Sequence, residues 1–418
     1  MLTHTQLQFL VLLRAGLWAK PVNIDELLDP EKYQSTENKN KPQNKRNNKK
    51  NTESSNNSQG IVIDWPAIYR ISREQTVVGL IADAIGTLPA EMMPPKAIAQ
   101  RFAIDKLSIE RSHQQLNTAL NTIVQFLNAQ GIPHVLLKGQ GVAQNYPNPT
   151  SRTCGDIDLY VGKQYYKQAC NLIIKDFQGR LIAECTHNME ISLKGITIEI
   201  HHIADMMVNP RKDKQFQEWT KRQLDANFTT TSIPAEENRT TPFNTWNNNG
   251  VQINRPPVLF DAVFIMTHML RHMFYEGVGL RQLCDWTMHL HHNHETINAQ
   301  QLQTILNELD LTKAWTVFAT TAYSILGLPS EEIPLNQIES SKDHSERVLK
   351  VMFETGNFGH YNKKATQSTN SNYIIHKWKR FKYHFSYNLK IWPIFPKLML
   401  IFTATWFKKG IKTVIHTT

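Results

Sequence analysis

The chain has 418 residues, 41% hydrophobic and 20% charged, which allows one large domain or two to three modest ones with a sizeable core. Its formal charge of +10 is unevenly placed: residues 34–60 carry six Lys/Arg against two Glu, residues 363–418 carry eleven Lys/Arg and no acidic residue, and the rest is mildly acidic. That distribution argues against a broadly basic nucleic-acid-binding core and for one local contact with something anionic.

In chain order, residues 2–28 read as helical. The apolar stretch 7–13 has no basic segment before it and runs into Arg14, so it is expected to be a short amphipathic helix and not a secretion signal. The four cysteines, Cys154, Cys170, Cys185 and Cys284, form no CxxC pair and no disulfide framework. They fit isolated thiols in a reducing compartment, and a cytoplasmic protein is expected. Residues 34–60 are rich in Asn, Lys and Ser and have too little apolar surface to offset ordering, so a disordered loop is expected there. Residues 65–88 read as one helix, entered through Asp64 as a cap with Pro66 in its first turn. A second long helix is expected over 105–130, ended by Gly131.

From Pro133 the pattern changes. Short strands are expected at 134–137 and 156–161, helices at 139–146 and 163–176, and three further strands at 181–185, 188–193 and 197–201. Helices alternating with short strands predict a mixed α/β (α+β) core, a short mixed sheet with helices packed on it. Residues 225–254 are polar and turn-rich and read as a loop or boundary, followed by helices to about 326. The expected domains are an N-terminal helix (1–33), the loop (34–60), an α/β domain with leading helices (61–250), a helical domain (251–345) and a basic aromatic tail (346–418).

The chemistry concentrates in residues 132–161, IPHVLLKGQGVAQNYPNPTSRTCGDIDLYV. Side chains two apart on a strand share a face, so Asp156 and Asp158 project together while Ile157 and Leu159 face the core. Two carboxylates held about 5–7 Å apart in this way suit a hard cation such as Mg²⁺, which prefers oxygen ligands and arrives with phosphates. The preceding strand ends in Lys138-Gly139, a turn into a helix start that can present backbone N–H groups to an anion. Arg152 can hold phosphate oxygens bidentately or pair with the aspartates. Glu199 is the candidate third carboxylate. It shares a strand face with His201, and a strand placed beside Gly155-Asp156-Ile157-Asp158 would point it at both aspartates. Three unpaired acids in one place repel, a cost that makes sense where cations bind.

These residues resemble the nucleotidyltransferases of the DNA-polymerase-β-like superfamily, and more closely its uncharacterised bacterial branch. The shared features are the Leu-Leu-Lys-Gly strand end at 136–139, Arg152, the Gly-Asp-Ile-Asp-Leu strand at 155–159, and Glu199 with His201. The likeness continues in DWPAIYRISREQTVVGLIADAI at 64–85 and GLRQLCDW at 279–286. This chain has Lys138-Gly139 where many superfamily members have Gly-Ser or Gly-Gly at the first turn, with a longer spacing to the aspartates. The resemblance implies attack by an acceptor hydroxyl on the α-phosphorus of a nucleoside triphosphate, with release of pyrophosphate. It assigns two Mg²⁺ ions to Asp156, Asp158 and Glu199, and the nucleotide phosphates to Lys138, Gly139, Arg152 and Gly155. The acceptor would be a small molecule, a glycan precursor or a protein.

Other readings stay open. The fold can survive as a catalytically inactive nucleotide-binding partner at a membrane, or serve as a toxin-like transferase acting on tRNA; the acidic body weighs against a nucleic-acid partner. His289, His291, His292 and His294 sit around a helix end and do not predict a zinc site. His268 and His272, four apart, are read as core or cleft-lining, with a ligand pair as the alternative. Arg281 and Asp285, also four apart, can pair on one helix face, or their helix can close the cleft over the acceptor. The tail's basic and aromatic residues suit a peripheral contact with anionic lipid, a contact with RNA, or a helix packed on the domain.

Overall fold

A computed structural model describes residues 2–31, 62–229, 242–339, 343–357 and 387–415, with side chains described up to 405 in the last segment. The loop expected at 34–60 lies outside the described residues. Helix α1 (His4–Leu17) opens the chain and α2 (Ile24–Leu28) follows. Residues Phe9 to Leu13 of α1 are all buried, so this helix is enclosed by the fold and not half-solvated as its pattern suggested. Its Gly16 packs so closely on the backbone of Leu80 that a Cβ there would lie 1.9 Å from the Leu80 carbonyl oxygen.

The single helix expected over 65–88 is two, α3 (Trp65–Glu74) and α4 (Val78–Ile85). Asp64 caps α3 as expected, accepting from the Ala67 N–H at 3.0 Å. The break falls at Thr76, whose φ is 55°. Gln75 is drawn into the interior, where its side chain donates to the Met352 carbonyl and accepts from the Leu280 N–H, both at 2.9 Å. These distant partners override helix propensity and place Thr76 at the cleft described below. Helix α5 (Lys96–Ala129) begins earlier than expected, directly behind Pro95, because Ile98 and Phe102 are also buried.

The central sheet is built from β1 (Val135–Leu137), β2 (Asp156–Tyr160), β3 (Arg180–Glu184), β4 (Asn188–Leu193) and β5 (Ile196–His201), in the order β1-β2-β5-β4-β3. Strands β2 and β5 run parallel; the other neighbours are antiparallel. A short helix α6 (Gly139–Ala143) follows β1, and α7 (Gly162–Asp176) follows β2. One face of the sheet carries Ile157, Leu159, Ile191, Ile198 and Ile200, fully buried among Leu120, Ile123, Val124 and Leu127 of α5 and Ala169, Cys170 and Ile173 of α7. Each such side chain contributes roughly 1.5–3 kcal/mol. Because the pattern alternates, a one-residue slip would bury the carboxylates and expose the isoleucines, so the apolar face fixes the register of the polar one.

Within the stretch expected to be a loop, 225–254, the described residues 225–229 and 244–254 hold structure. Helix α8 (Pro210–Gln223) leads into α9 (Asp225–Thr229), and a hairpin forms from β6 (Asn244–Asn248) and β7 (Val251–Arg255). Asn249 and Gly250 both have positive φ, 49° and 90°, as a two-residue I′ turn requires. The polar outer residues hid the strands, but Ile253 is buried under the sheet and Arg255 donates to the Gly141 carbonyl at 2.9 Å.

The helical part comprises α10 (Val258–Tyr275), α11 (Leu280–Asn293), α12 (Ala299–Glu308), α13 (Thr312–Thr321) and α14 (Asp343–Thr355). Trp286 and Trp315 meet edge to face at its centre, 5.0 Å apart. The last helix, α15 (Pro396–Ile415), and the residues before it pack on this part: Ile391, Ile394, Phe395, Met399 and Phe402 are buried. Phe274 of α10 meets Phe395 and Phe402, and the Tyr387 hydroxyl donates to the Met273 carbonyl. Among the described residues, no helix is long and apolar enough to cross a membrane.

Candidate active site

The parallel pairing of β2 with β5 sets Asp158 directly beside Glu199 and Tyr160 beside His201. His201 Nε2 lies 2.9 Å from Asp158 Oδ1 and 3.3 Å from Glu199 Oε2, so the imidazole bridges the two carboxylates. Asn188 on β4 donates to Glu199 Oε2 at 2.7 Å. Ligand atoms of Asp158, Glu199 and His201 all lie within 4.8 Å of one another, the one such trio among the described residues. Asp156 stands outside that trio, two residues before Asp158 on the same face of β2.

The charges explain the titration of the site. Asp156 is pushed up to about 6, first by the charge of Asp158 and then by burial. Burial acts in the same sense on Asp158, but the Lys138 ammonium and the His201 hydrogen bond outweigh it and hold that carboxyl well below its usual range. Burial opposes a charge on His201, yet its two carboxylate partners raise its pKa. One side of the site is therefore neutralised internally, and Asp156 is left with repulsion that a cation would relieve.

Lys138 lies between β1 and α6, with φ 47° and ψ −144°, and Gly139 follows at φ 48°. Pairing of Leu137 with Asp158 brings this turn to the carboxylates, and the Lys138 ammonium lies 3.2 Å from Asp158 Oδ1. A cleft of about 260 Å³ opens here. Of the seven residues expected to hold metal or nucleotide, six line it: Lys138, Gly139, Arg152, Gly155, Asp156 and Asp158; Glu199 lies outside the lining. Arg152 turns its fork away from the aspartates. Its Nε and Nη2 bind Asp285 of α11 at 2.8 and 2.7 Å, and Nη1 donates to the Thr153 carbonyl at 3.2 Å. Tyr146 donates to the same Asp285 carboxylate at 2.7 Å.

The far wall comes from the helices. Ile265 and His268 of α10, and Arg281, Gln282 and Asp285 of α11, line the cleft together with Thr76. Asp285, expected to pair along its own helix with Arg281, gives its carboxylate to Arg152, and Arg281 donates to the Thr153 carbonyl at 3.0 Å. Arg281 is held below its usual pKa by burial and by the neighbouring Arg152. Sequence reasoning gave Arg281 only a helix pairing or a place on a helix that closes the cleft; the signal for more was its place in the Gly-Leu-Arg-Gln-Leu-Cys-Asp-Trp stretch. His268 is cleft-lining, one of the readings left open. Its Nδ1 meets Asp205 at 2.9 Å and its Nε2 meets His272 Nε2 at 3.0 Å. The later histidines disperse: His289 bonds the Val258 carbonyl at 3.0 Å and His291 binds Glu332 at 2.6 Å.

Residues 62–327 match the family described as an uncharacterised nucleotidyltransferase. That span is more than half of the chain, and the protein belongs to this nucleotidyltransferase family, as the strand-end and Gly-Asp-Ile-Asp motifs implied. Among solved structures it is similar to an antigenic nucleotidyltransferase-like protein from Paracoccidioides brasiliensis, at 17% identity and a TM-score of 0.30, over 48% of this chain and 92% of that one. No curated protein matches the sequence.

Proposed function

We propose that the protein transfers a nucleoside monophosphate from a nucleoside triphosphate to a hydroxyl of a small molecule, a glycan precursor or a protein, with Mg²⁺ as cofactor. The observation carrying this reading is the in-register meeting of Asp158 with Glu199 at the edge of a cleft that also holds Asp156 and the cations Lys138 and Arg281. The donor set fits a hard divalent ion: Asp156, Asp158 and Glu199 supply oxygens, and the repulsion on Asp156 has no internal remedy as complete as that of Asp158. When bound, the ion supplies charge neutralisation on the phosphates and lowers the pKa of the attacking hydroxyl. Lys138 and Arg281 face the phosphate charge, and Arg152 holds the loop that carries Gly155. His201 orients Asp158 and Glu199 relative to each other.

Calorimetry with the four nucleoside triphosphates and Mg²⁺ tests this reading, comparing the wild type with Asp156→Ala/Asp158→Ala. One nucleotide should bind, only with the metal, and not to the variant. A folded wild type that binds none would move the protein to the inactive-partner reading.

The tail supports a peripheral contact with an anionic membrane through its exposed apolar side chains Leu389, Trp392 and Leu400, while the adjacent Lys390 and Lys397 pair with Glu354 and Asp310. Co-sedimentation with phosphatidylglycerol vesicles should exceed that with phosphatidylcholine and fall when these three side chains become serine. Equal sedimentation would remove the contact.

A further inference from the structure

Asp158 belongs to two arrangements at once. It is the member of the Asp158–Glu199–His201 trio nearest the cleft, and it holds the Lys138 ammonium at 3.2 Å. Among the described residues this is the single ion pair of Lys138, made to one carboxylate oxygen that also meets His201. Arg152, on the same cleft, is fixed by two parallel bonds to Asp285 and a third to Thr153. A flexible ammonium on one contact can change partner; a guanidinium locked in a fork cannot without losing its whole set.

The backbone keeps Lys138 at this place. Its φ of 47° lies where non-glycine residues rarely sit, at a cost of about 1–3 kcal/mol that the surrounding structure must overcome. The strand pairing of Leu137 with Asp158 on one side and helix α6 on the other hold the residue there. The base of the side chain therefore stays at the cleft whichever anion the ammonium binds.

We propose that Lys138 is an internal counter-ion that makes cation and nucleotide binding interdependent: it occupies Asp158 until a triphosphate enters, then moves to the phosphates and frees the carboxylate for the cation. This rests on the nucleotidyl-transfer reading above. An ammonium and a divalent cation on the same carboxylate repel each other, so the cation alone binds weakly. The phosphates give Lys138 a new partner in the same cleft and remove that competition. Coupling of this kind is reciprocal, so the cation strengthens nucleotide binding by the factor by which nucleotide strengthens cation binding.

The test is Mn²⁺ binding to the full chain, followed by electron paramagnetic resonance, with and without each of the four α,β-methylene nucleoside triphosphates. Wild type should bind Mn²⁺ alone weakly, and one analogue should tighten it about tenfold or more. Lys138→Met should bind Mn²⁺ alone about tenfold tighter than wild type and lose most of the enhancement by the analogue. Lys138→Gln carries the same test should the methionine variant not fold. A folded variant that binds Mn²⁺ no tighter than wild type, or keeps the full enhancement, overturns the counter-ion role and leaves nucleotidyl transfer standing. A wild type that binds Mn²⁺ neither alone nor with any analogue overturns both.

Discussion

Two buried ion pairs line one cleft and differ in kind. Arg152 and Asp285 form a two-pronged bridge, joined by Tyr146 and closed on the Thr153 carbonyl, that ties the loop before β2 to helix α11. Lys138 and Asp158 meet through one oxygen, just past the end of a strand and beside Asp156, whose repulsion from Asp158 the nearby cations only partly offset. The sequence offers a basic and an acidic residue in both cases. The number of bonds separates them: a fully satisfied pair holds the walls together, and a pair with spare capacity is available to ligands.

The largest effect that would break this contrast is in stability. Arg152→Met leaves Asp285 buried with only Tyr146 and should destabilise the fold by about 3–5 kcal/mol, read by denaturant unfolding. A loss no larger than that of Lys138→Met would erase the distinction. Next comes activity: Asp158→Asn should reduce nucleotidyl transfer about a hundredfold or more while the variant remains folded, measured as pyrophosphate release once an acceptor is in hand. Retention of full rate would take Asp158 out of the chemistry.

A pH effect sharpens the comparison from behind the cleft. Asp261 is pushed up to about 7 by burial, opposed by Arg255 and reinforced by the charge of Asp285. Its folded pKa lies above the ordinary 3.8, so the folded state holds this proton more tightly than the unfolded one. Its contribution therefore favours folding at low pH and is lost as pH rises from about 4 to about 7. Asp261→Asn should flatten that part of the stability profile and raise stability at pH 8; an unchanged profile would show the acid ionises freely. The smallest effect is Lys138→Met, expected to cost less in unfolding free energy than Arg152→Met, because His201 still serves the buried Asp158.

The alternation of Asp156, Ile157, Asp158 and Leu159, and of Ile196, Ile198 and Ile200 around Glu199, determined from sequence alone that two strands carry acids on one face and core on the other. Strand periodicity is local, and burial of the isoleucines enforces it. The same local logic gave the short mixed sheet, and the resemblance carried by the Leu-Leu-Lys-Gly and Gly-Asp-Ile-Asp motifs implied the nucleotidyltransferase family. The break at Thr76 lies beyond that logic, because it depends on Gln75 reaching Met352 and Leu280. So does the β6–β7 hairpin, whose polar strands gain their buried residue only when the sheet is beside them. The partners of the charges were equally illegible: Arg152 chose Asp285, more than a hundred residues away, over the aspartates next to it in sequence. Local pattern fixes which face a side chain takes, but the partner of a charge depends on which distant elements pack against that face, and only the tertiary structure decided that Arg152 braces the cleft while Lys138 sits on Asp158.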